Sequence, residues 1–189
     1  MEVSNGLYND YFTTNHLNFN PLTVITHDGN FFDTETKIST KISENLPVSM
    51  LEITCAAYGQ YIYLFGGRDY QYVATEKIYK FNTENNTITE LQATIPGHRG
   101  NIGCVLDNNK IYLFGGFEYA SANVYNDIYV LDPTNDSLSL LETKIQTPRF
   151  HISCLAIDSK IYLFGGEHLS GNRIVLSTTI QIFDVTTNE

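Results

Sequence analysis

The sequence predicts an all-β fold made of repeated sheets, and three observations carry that reading. The hexapeptide Ile-Tyr-Leu-Phe-Gly-Gly occurs at Ile62–Gly67, Ile111–Gly116 and Ile161–Gly166. Its first glycines, at positions 66, 115 and 165, lie 49 and 50 residues apart, a period that belongs to supersecondary units stacked into an array. Around each copy the same series of short apolar runs and turn residues returns, so that each unit reads as four consecutive strands.

Composition agrees with a packed globular chain. Of 189 residues, 42% are hydrophobic and 13% aromatic, enough for a core. Eleven basic residues stand against 21 acidic ones, a net charge of −10, which repels phosphate backbones and anionic lipid surfaces. Nucleic acid and membrane are therefore not expected partners. No run of about 18 apolar residues marks a span, and Met1-Glu2-Val3-Ser4-Asn5-Gly6 has neither the basic nor the apolar stretch of a secretion signal. A cytoplasmic protein is the expectation.

Residues 1–30, with Tyr8, Tyr11, Phe12 and Phe19 among Asn and Thr, read either as an N-terminal arm or as an extra strand region. The repeats follow over 31–189, in units of about 53–91, 102–141 and 152–189. The first strand of each unit is expected at Ile53–Tyr58, Ile102–Leu106 and Ile152–Ile157. Turns at Gly59-Gln60, Asp107-Asn108-Asn109 and Asp158-Ser159 lead into the second strand, Tyr61–Phe65, Lys110–Phe114 and Lys160–Phe164. This strand is almost wholly apolar, without alternation, as expected when both faces of a sheet are covered.

Gly66-Gly67, Gly115-Gly116 and Gly165-Gly166 end that strand where a side chain would restrict the backbone, a structural role. No helix pattern follows to make them a phosphate cradle. The third strand is expected at Lys77–Phe81, Asp127–Leu131 and Thr179–Phe183, and the fourth at Thr87–Leu91 and Ser137–Leu141. The fourth alternates polar and apolar residues, as a half-exposed outer strand should.

Cys55, Cys104 and Cys154 each stand 11 residues before the first glycine of their repeat. Equivalent positions on stacked sheets lie about 10 Å apart, beyond disulfide reach. Buried free thiols are the expectation.

With its strand-Gly-Gly unit, the third-strand pattern Asn126-Asp127-Ile128-Tyr129-Val130-Leu131-Asp132 and an arginine 16 residues before the double glycine at Arg99 and Arg149, the chain resembles the kelch-repeat family of β-propellers. The resemblance implies a kelch-type β-propeller of about three four-stranded blades, all-β, and the repetition of Arg99 and Arg149 at one blade position suggests a structural role, pairing between blades. It departs from the family pattern where Ile88 and Leu138 stand for the usual outer-strand tryptophan and where Met50 takes the arginine position.

The third unit ends after Phe183-Asp184-Val185-Thr186-Thr187-Asn188-Glu189, a third strand and turn. Residues 32–42, with Ile38 at the position of Ile88, read as the same turn followed by an outer strand that could close that blade. Three blades are too few for a ring, since propellers usually have four to eight. Either the chain is a piece of a longer propeller, or two copies meet head to tail as a six-bladed homodimer, residues 32–42 of one completing the blade begun at 152–183 of the other.

Function in such a fold resides in loops. The loops after the double glycines hold Arg68, Tyr70, Tyr72, Phe117, Tyr119, His168 and Arg173, aromatic and cationic side chains suited to protein contact. These seven are the candidate partner-binding residues. The resemblance likewise implies an adaptor or scaffold, with no catalytic residue, cofactor or metal expected. Relatives of this fold include sugar-acid mutarotases and metal-dependent enzymes, so an enzyme remains the alternative. Its candidate groups would be His98, His151, His168, Glu118 and Glu167, which do not recur at equivalent positions and lack metal-ligand spacing.

Overall fold

The computed structural model describes residues 23–25, 30–33, 38–41, 46–47 and 50–189. Tyr8, Tyr11, Phe12 and Phe19 lie outside the described residues. Three short strands come first, β1 (Thr23–Ile25), β2 (Asn30–Asp33) and β3 (Ser39–Lys41), forming an antiparallel sheet in that order. Val24 pairs with Phe32 and Phe32 with Ser39. The same three-strand register recurs further on, where Ile62 pairs with Phe81 and Phe81 with Ile88. The N-terminal sheet thus repeats the blade pattern, with Ser39 rather than Ile38 opposite the aromatic residue. Ile38 itself is exposed.

The first full blade comprises β4 (Thr54–Tyr58), β5 (Tyr61–Phe65), β6 (Lys77–Asn82) and β7 (Thr87–Thr94), hydrogen-bonded in sequence order. The second repeats it with β8 (Gly103–Asp107) and β9 (Lys110–Phe114), then, beyond the small hairpin β10 (Phe117–Glu118) and β11 (Asn123–Val124), with β12 (Asp127–Asp132) and β13 (Ser137–Lys144). The third has β14 (Ser153–Ile157) and β15 (Lys160–Phe164), a hairpin of β16 (Glu167–Ser170) and β17 (Arg173–Leu176), and β18 (Ile180–Asp184). Among the described residues no helix forms. The all-β, kelch-type β-propeller expected from the sequence is what the chain builds, as an incomplete ring.

The continuous apolar run of each second strand is explained by which neighbour each face meets. Ile111 and Leu113 of β9 pack into one core with Tyr63, Phe65 and Ile78 of the first blade. Tyr112 and Phe114, on the opposite face, join Ile128 in a second core with Ile161, Leu163 and Phe183 of the third. Strand geometry sends successive side chains to opposite faces, so a strand covered on both sides must be apolar throughout. Burying each such side chain stabilises the fold by about 1.5–3 kcal/mol. Cys104 and Cys154 sit in these seams as buried free thiols, and Cys55 is a half-buried free thiol on the opposite face of the first blade.

The outer strands run three residues further than the alternation indicates, to Thr94 and Lys144. A register shift between Lys77 and Tyr79, and again between Asp127 and Tyr129, carries the pairing past the irregularity. The turn after the third strand of each blade is held by a side-chain carbonyl or carboxylate accepting from the amide two residues on. Asn82 accepts from Glu84 N at 2.9 Å, Asp132 from Thr134 N at 3.0 Å and Asp184 from Thr186 N at 2.9 Å.

The double glycines sit where backbones from adjacent blades almost touch. At Gly66 and Gly115, with φ of +60° and +62°, an added Cβ would lie 2.2 Å from the carbonyl oxygen of Arg99 and of Arg149 respectively. The second glycine of each pair makes use of that proximity: Gly67 N donates to Arg99 O at 3.1 Å and Gly116 N to Arg149 O at 3.0 Å.

Candidate functional site

The face that carries the loops after the double glycines is organised by one repeat position. Glu52, Asn101 and His151 each stand 14 residues before the first glycine of their unit, and each has a left-handed backbone, with φ of 59°, 55° and 54°. Asn101 N donates to Glu52 O at 3.1 Å, and His151 N donates to Asn101 O at 3.0 Å. The three residues therefore form a main-chain ladder running from blade to blade. Non-glycine residues in this conformation cost free energy and persist where the surroundings impose them. Here the imposing feature is the ladder, together with the antiparallel bridges just beside it, Leu51 to Arg68, Gly100 to Phe117 and Phe150 to Glu167.

Those bridges bring each ladder residue next to the residue that follows the double glycine. In the first blade the result is an ion pair, with Arg68 Nη2 donating to Glu52 Oε1 at 2.6 Å. Asn101 Nδ2 donates to Glu52 Oε2 at 2.8 Å and reaches the Tyr119 hydroxyl at 2.9 Å, and that hydroxyl donates to the same carboxylate. The Arg68 guanidinium lies 4.2 Å from the ring centroid of Tyr72 and 4.8 Å from that of Tyr119. Glu52 raises the pKa of Arg68, while burial, aided by Glu52, pushes the Tyr119 hydroxyl up to about 12. Arg68 Nε is buried without a partner.

From Tyr119 an aromatic row continues toward the third blade. Phe117 meets Tyr119 edge to face at 4.7 Å and stacks on Phe150 at 4.7 Å, and Phe150 touches the His151 ring at 5.1 Å. His151 Nδ1 lies 3.3 Å from Glu167 Oε1. The first and third blades thus carry acid and base in opposite order on the same two repeat positions.

The predicted contact residues divide accordingly. Tyr70, 75% exposed, and Tyr72, 56% exposed, form the outermost tip beside Val73, and Arg173 is exposed on the β16–β17 hairpin. Arg68 and Tyr119 are tied into the Glu52 network, and Phe117 is buried as the floor. His168 is half-buried, with Nδ1 lacking a partner. Glu52 and Asn101 are not among the candidates that residue type picks out. Their equal spacing of 14 residues before the first glycine is a signal in the sequence, but the backbone conformation that aims them at the loop face is not.

Arg99 and Arg149 are buried at 2% and 3% exposure. Arg99 donates to Asp127, to Gly115 O at 3.2 Å and to Pro96 O, and its guanidinium carbon lies 3.5 Å from the ring centroid of Tyr125. Arg149 donates to Gly165 O at 3.1 Å and to Thr179 Oγ1 at 3.2 Å. Their side chains stay within their own blades, and the link to the preceding blade is made by their carbonyls. In the first unit Met50 replaces the arginine and Lys77 stands where Asp127 stands. Both partners have changed together, so no buried carboxylate is left unpaired.

Of the candidate catalytic groups, His151 and Glu167 form the pair described above. His98 lies 3.6 Å from Glu76, and Glu118 accepts from Ser121 at 2.6 Å and Tyr125 at 2.9 Å, which lowers its pKa. Among the described residues no three His, Cys, Asp or Glu side chains come together in a metal-holding arrangement.

The model of the KLHDC2/KLHL20/DRC7 kelch-repeats domain matches residues 20–189. No curated protein matches the chain. The match spans the N-terminal sheet, the double glycines, the loop-face ladder and all three blades, and the chain belongs to the kelch-repeat family.

Proposed function

We propose that this chain is a protein-binding adaptor or scaffold whose loop face docks a partner protein. The single observation that carries the reading is the contrast on that face between a fixed floor and projecting tips. Phe117, Phe150 and the Glu52–Arg68–Tyr119 network form the floor, and Tyr70, Tyr72 and Arg173 project above it. Rigid aromatic and arginine side chains over a buried base provide contact area at little ordering cost. No reaction is assigned. Three free thiols fit a reducing compartment, and we place the protein in the cytoplasm. A homodimer is part of the proposal, since two joined copies would offer two loop faces to one assembly.

Affinity capture from cell extract, followed by mass spectrometry, tests the loop face. Wild type and a variant on the opposite face, Asn108→Ala, should recover the same specific proteins, and Tyr70→Ala/Tyr72→Ala should lose them. Recovery unaffected by the double substitution would remove the loop face from the function.

A further inference from the structure

The loop after the first double glycine is closed on itself. One carboxylate oxygen of Asp69, Oδ1, accepts from Gln71 N at 2.8 Å and from Val73 N at 2.9 Å. The main chain closes the same five residues, with Asp69 N donating to Val73 O at 3.0 Å and Tyr72 N to Asp69 O at 3.2 Å. Tyr72 takes a left-handed backbone with φ of 63°, costly for an aromatic residue and kept only where the surroundings impose it. Its ring centroid lies 4.2 Å from the Arg68 guanidinium and 5.5 Å from the Tyr119 ring, so Tyr72 is a strut that ties the loop to the floor. Tyr70 and Val73, 75% and 63% exposed, make the tip. The exposed tip of the second blade's loop carries small side chains instead, Ala120, Ser121 and Ala122.

We infer that Asp69–Val73 is a preformed recognition finger: Tyr70 and Val73 enter an apolar pocket of the partner protein, and Asp69 and Tyr72 are positioning residues that hold them out. This rests on the loop-face reading above. The partner's chemistry follows from the charges. The chain carries −10 overall, yet the one carboxylate within the finger, Asp69, is engaged by two amides, and the neighbouring Arg68 is engaged by Glu52. What the tip offers is a phenol ring and an isopropyl group, and their burial drives association without an ion pair. A loop already closed by its own carboxylate loses little conformational freedom on binding, so its shape adds directly to affinity. The receiving surface is therefore concave, apolar and uncharged, rather than a basic patch attracted to an acidic chain.

Two measurements on the whole chain test the finger. Amide exchange of the free protein should show Gln71 and Val73 protected, and Asp69→Ala should speed both about tenfold or more while the β5 amides stay as they are. Asp69→Asn keeps an oxygen acceptor at the same place and should keep most of that protection. In the second measurement, proteins that wild type captures and Tyr70→Ala/Tyr72→Ala does not should also be lost with Tyr70→Ala alone and with Val73→Asp. Asp69→Ala should reduce their recovery about tenfold, and Asp69→Asn should restore it. Recovery by wild type should change by about threefold at most between about 50 mM and about 500 mM salt, since no exposed ion pair is made. Free exchange at Gln71 and Val73 in wild type, Asp69→Asn failing as Asp69→Ala does, or a tenfold loss of recovery in high salt would each overturn the inference. Capture that survives Asp69→Ala but not Tyr70→Ala/Tyr72→Ala would remove the finger and leave the loop-face reading standing, whereas capture untouched by the double substitution would remove both.

Discussion

Arg99, buried inside the second blade, forms an ion pair with the half-buried Asp127, and its guanidinium also donates to the carbonyls of Gly115 and Pro96. Removing one member leaves the other charge without its partner, at a cost of about 3–5 kcal/mol. Arg99→Met should therefore lower the midpoint of urea unfolding strongly. Arg99→Met/Asp127→Lys copies the first unit, where Met50 and Lys77 occupy these positions, and should recover about 1–3 kcal/mol relative to the sum of the single changes. A double-mutant cycle showing strict additivity would refute the pairing.

Gly115→Ala and Gly171→Ala both place a β-carbon on a left-handed backbone, but their surroundings differ. The new carbon at 115 would meet Arg149 O at 2.2 Å, whereas the space around 171 is open to 4 Å. Gly171→Ala should cost about 1–2 kcal/mol, the conformational term alone. Gly115→Ala should exceed it by about 2 kcal/mol or more, because two blades must separate to admit the methyl group. Thermal unfolding of the two variants gives the comparison directly.

Asp132 provides a pH test. The hydrogen bond from Lys110, with those from Thr134, holds its carboxyl down to about 2, against an ordinary value of 3.8. A carboxyl depressed on folding adds stability above the unfolded value, and that contribution is lost as pH falls from about 4 to about 2. Asp132→Asn keeps the turn, as Asn82 does in the first blade, and removes the titration. Acid unfolding of this variant should be shallower than that of wild type between those values, and the difference should shrink in high salt, since the pair is solvent-exposed.

Thiol chemistry reports on the seams between blades. Burial pushes Cys55 up to about 11 and raises Cys104 and Cys154 as well, so none is a thiolate near pH 8. In native buffer a thiol-specific chromogenic disulfide reagent should react slowly with Cys55 and hardly at all with the other two. In denaturant all three should react at once, and rapid reaction of Cys154 in the native protein would contradict the packing of the third blade on the second.

The second strands were legible residue for residue in the sequence, because a continuous apolar run bounded by turn residues on one side and two glycines on the other admits few other readings. The outer strands were legible only as far as their alternation lasted. Gln92-Ala93-Thr94 and Glu142-Thr143-Lys144 are mostly polar, and they pair through a register shift that no periodicity announces. The hairpins β10–β11 and β16–β17 read as plain loops, since their strands rest on the loop face and not in a core. Of the loop-face residues, the aromatic and arginine side chains could be read by type. Glu52 and Asn101 could not, because their significance lies in a backbone angle.

The ladder of Glu52, Asn101 and His151 has a wider consequence. A carboxylate, an amide and an imidazole occupy one and the same backbone position, held there by main-chain hydrogen bonds that ignore side-chain identity. Each blade therefore offers an interchangeable socket at a fixed address, and a single substitution can rewrite the chemistry displayed there while the wiring between blades stays in place.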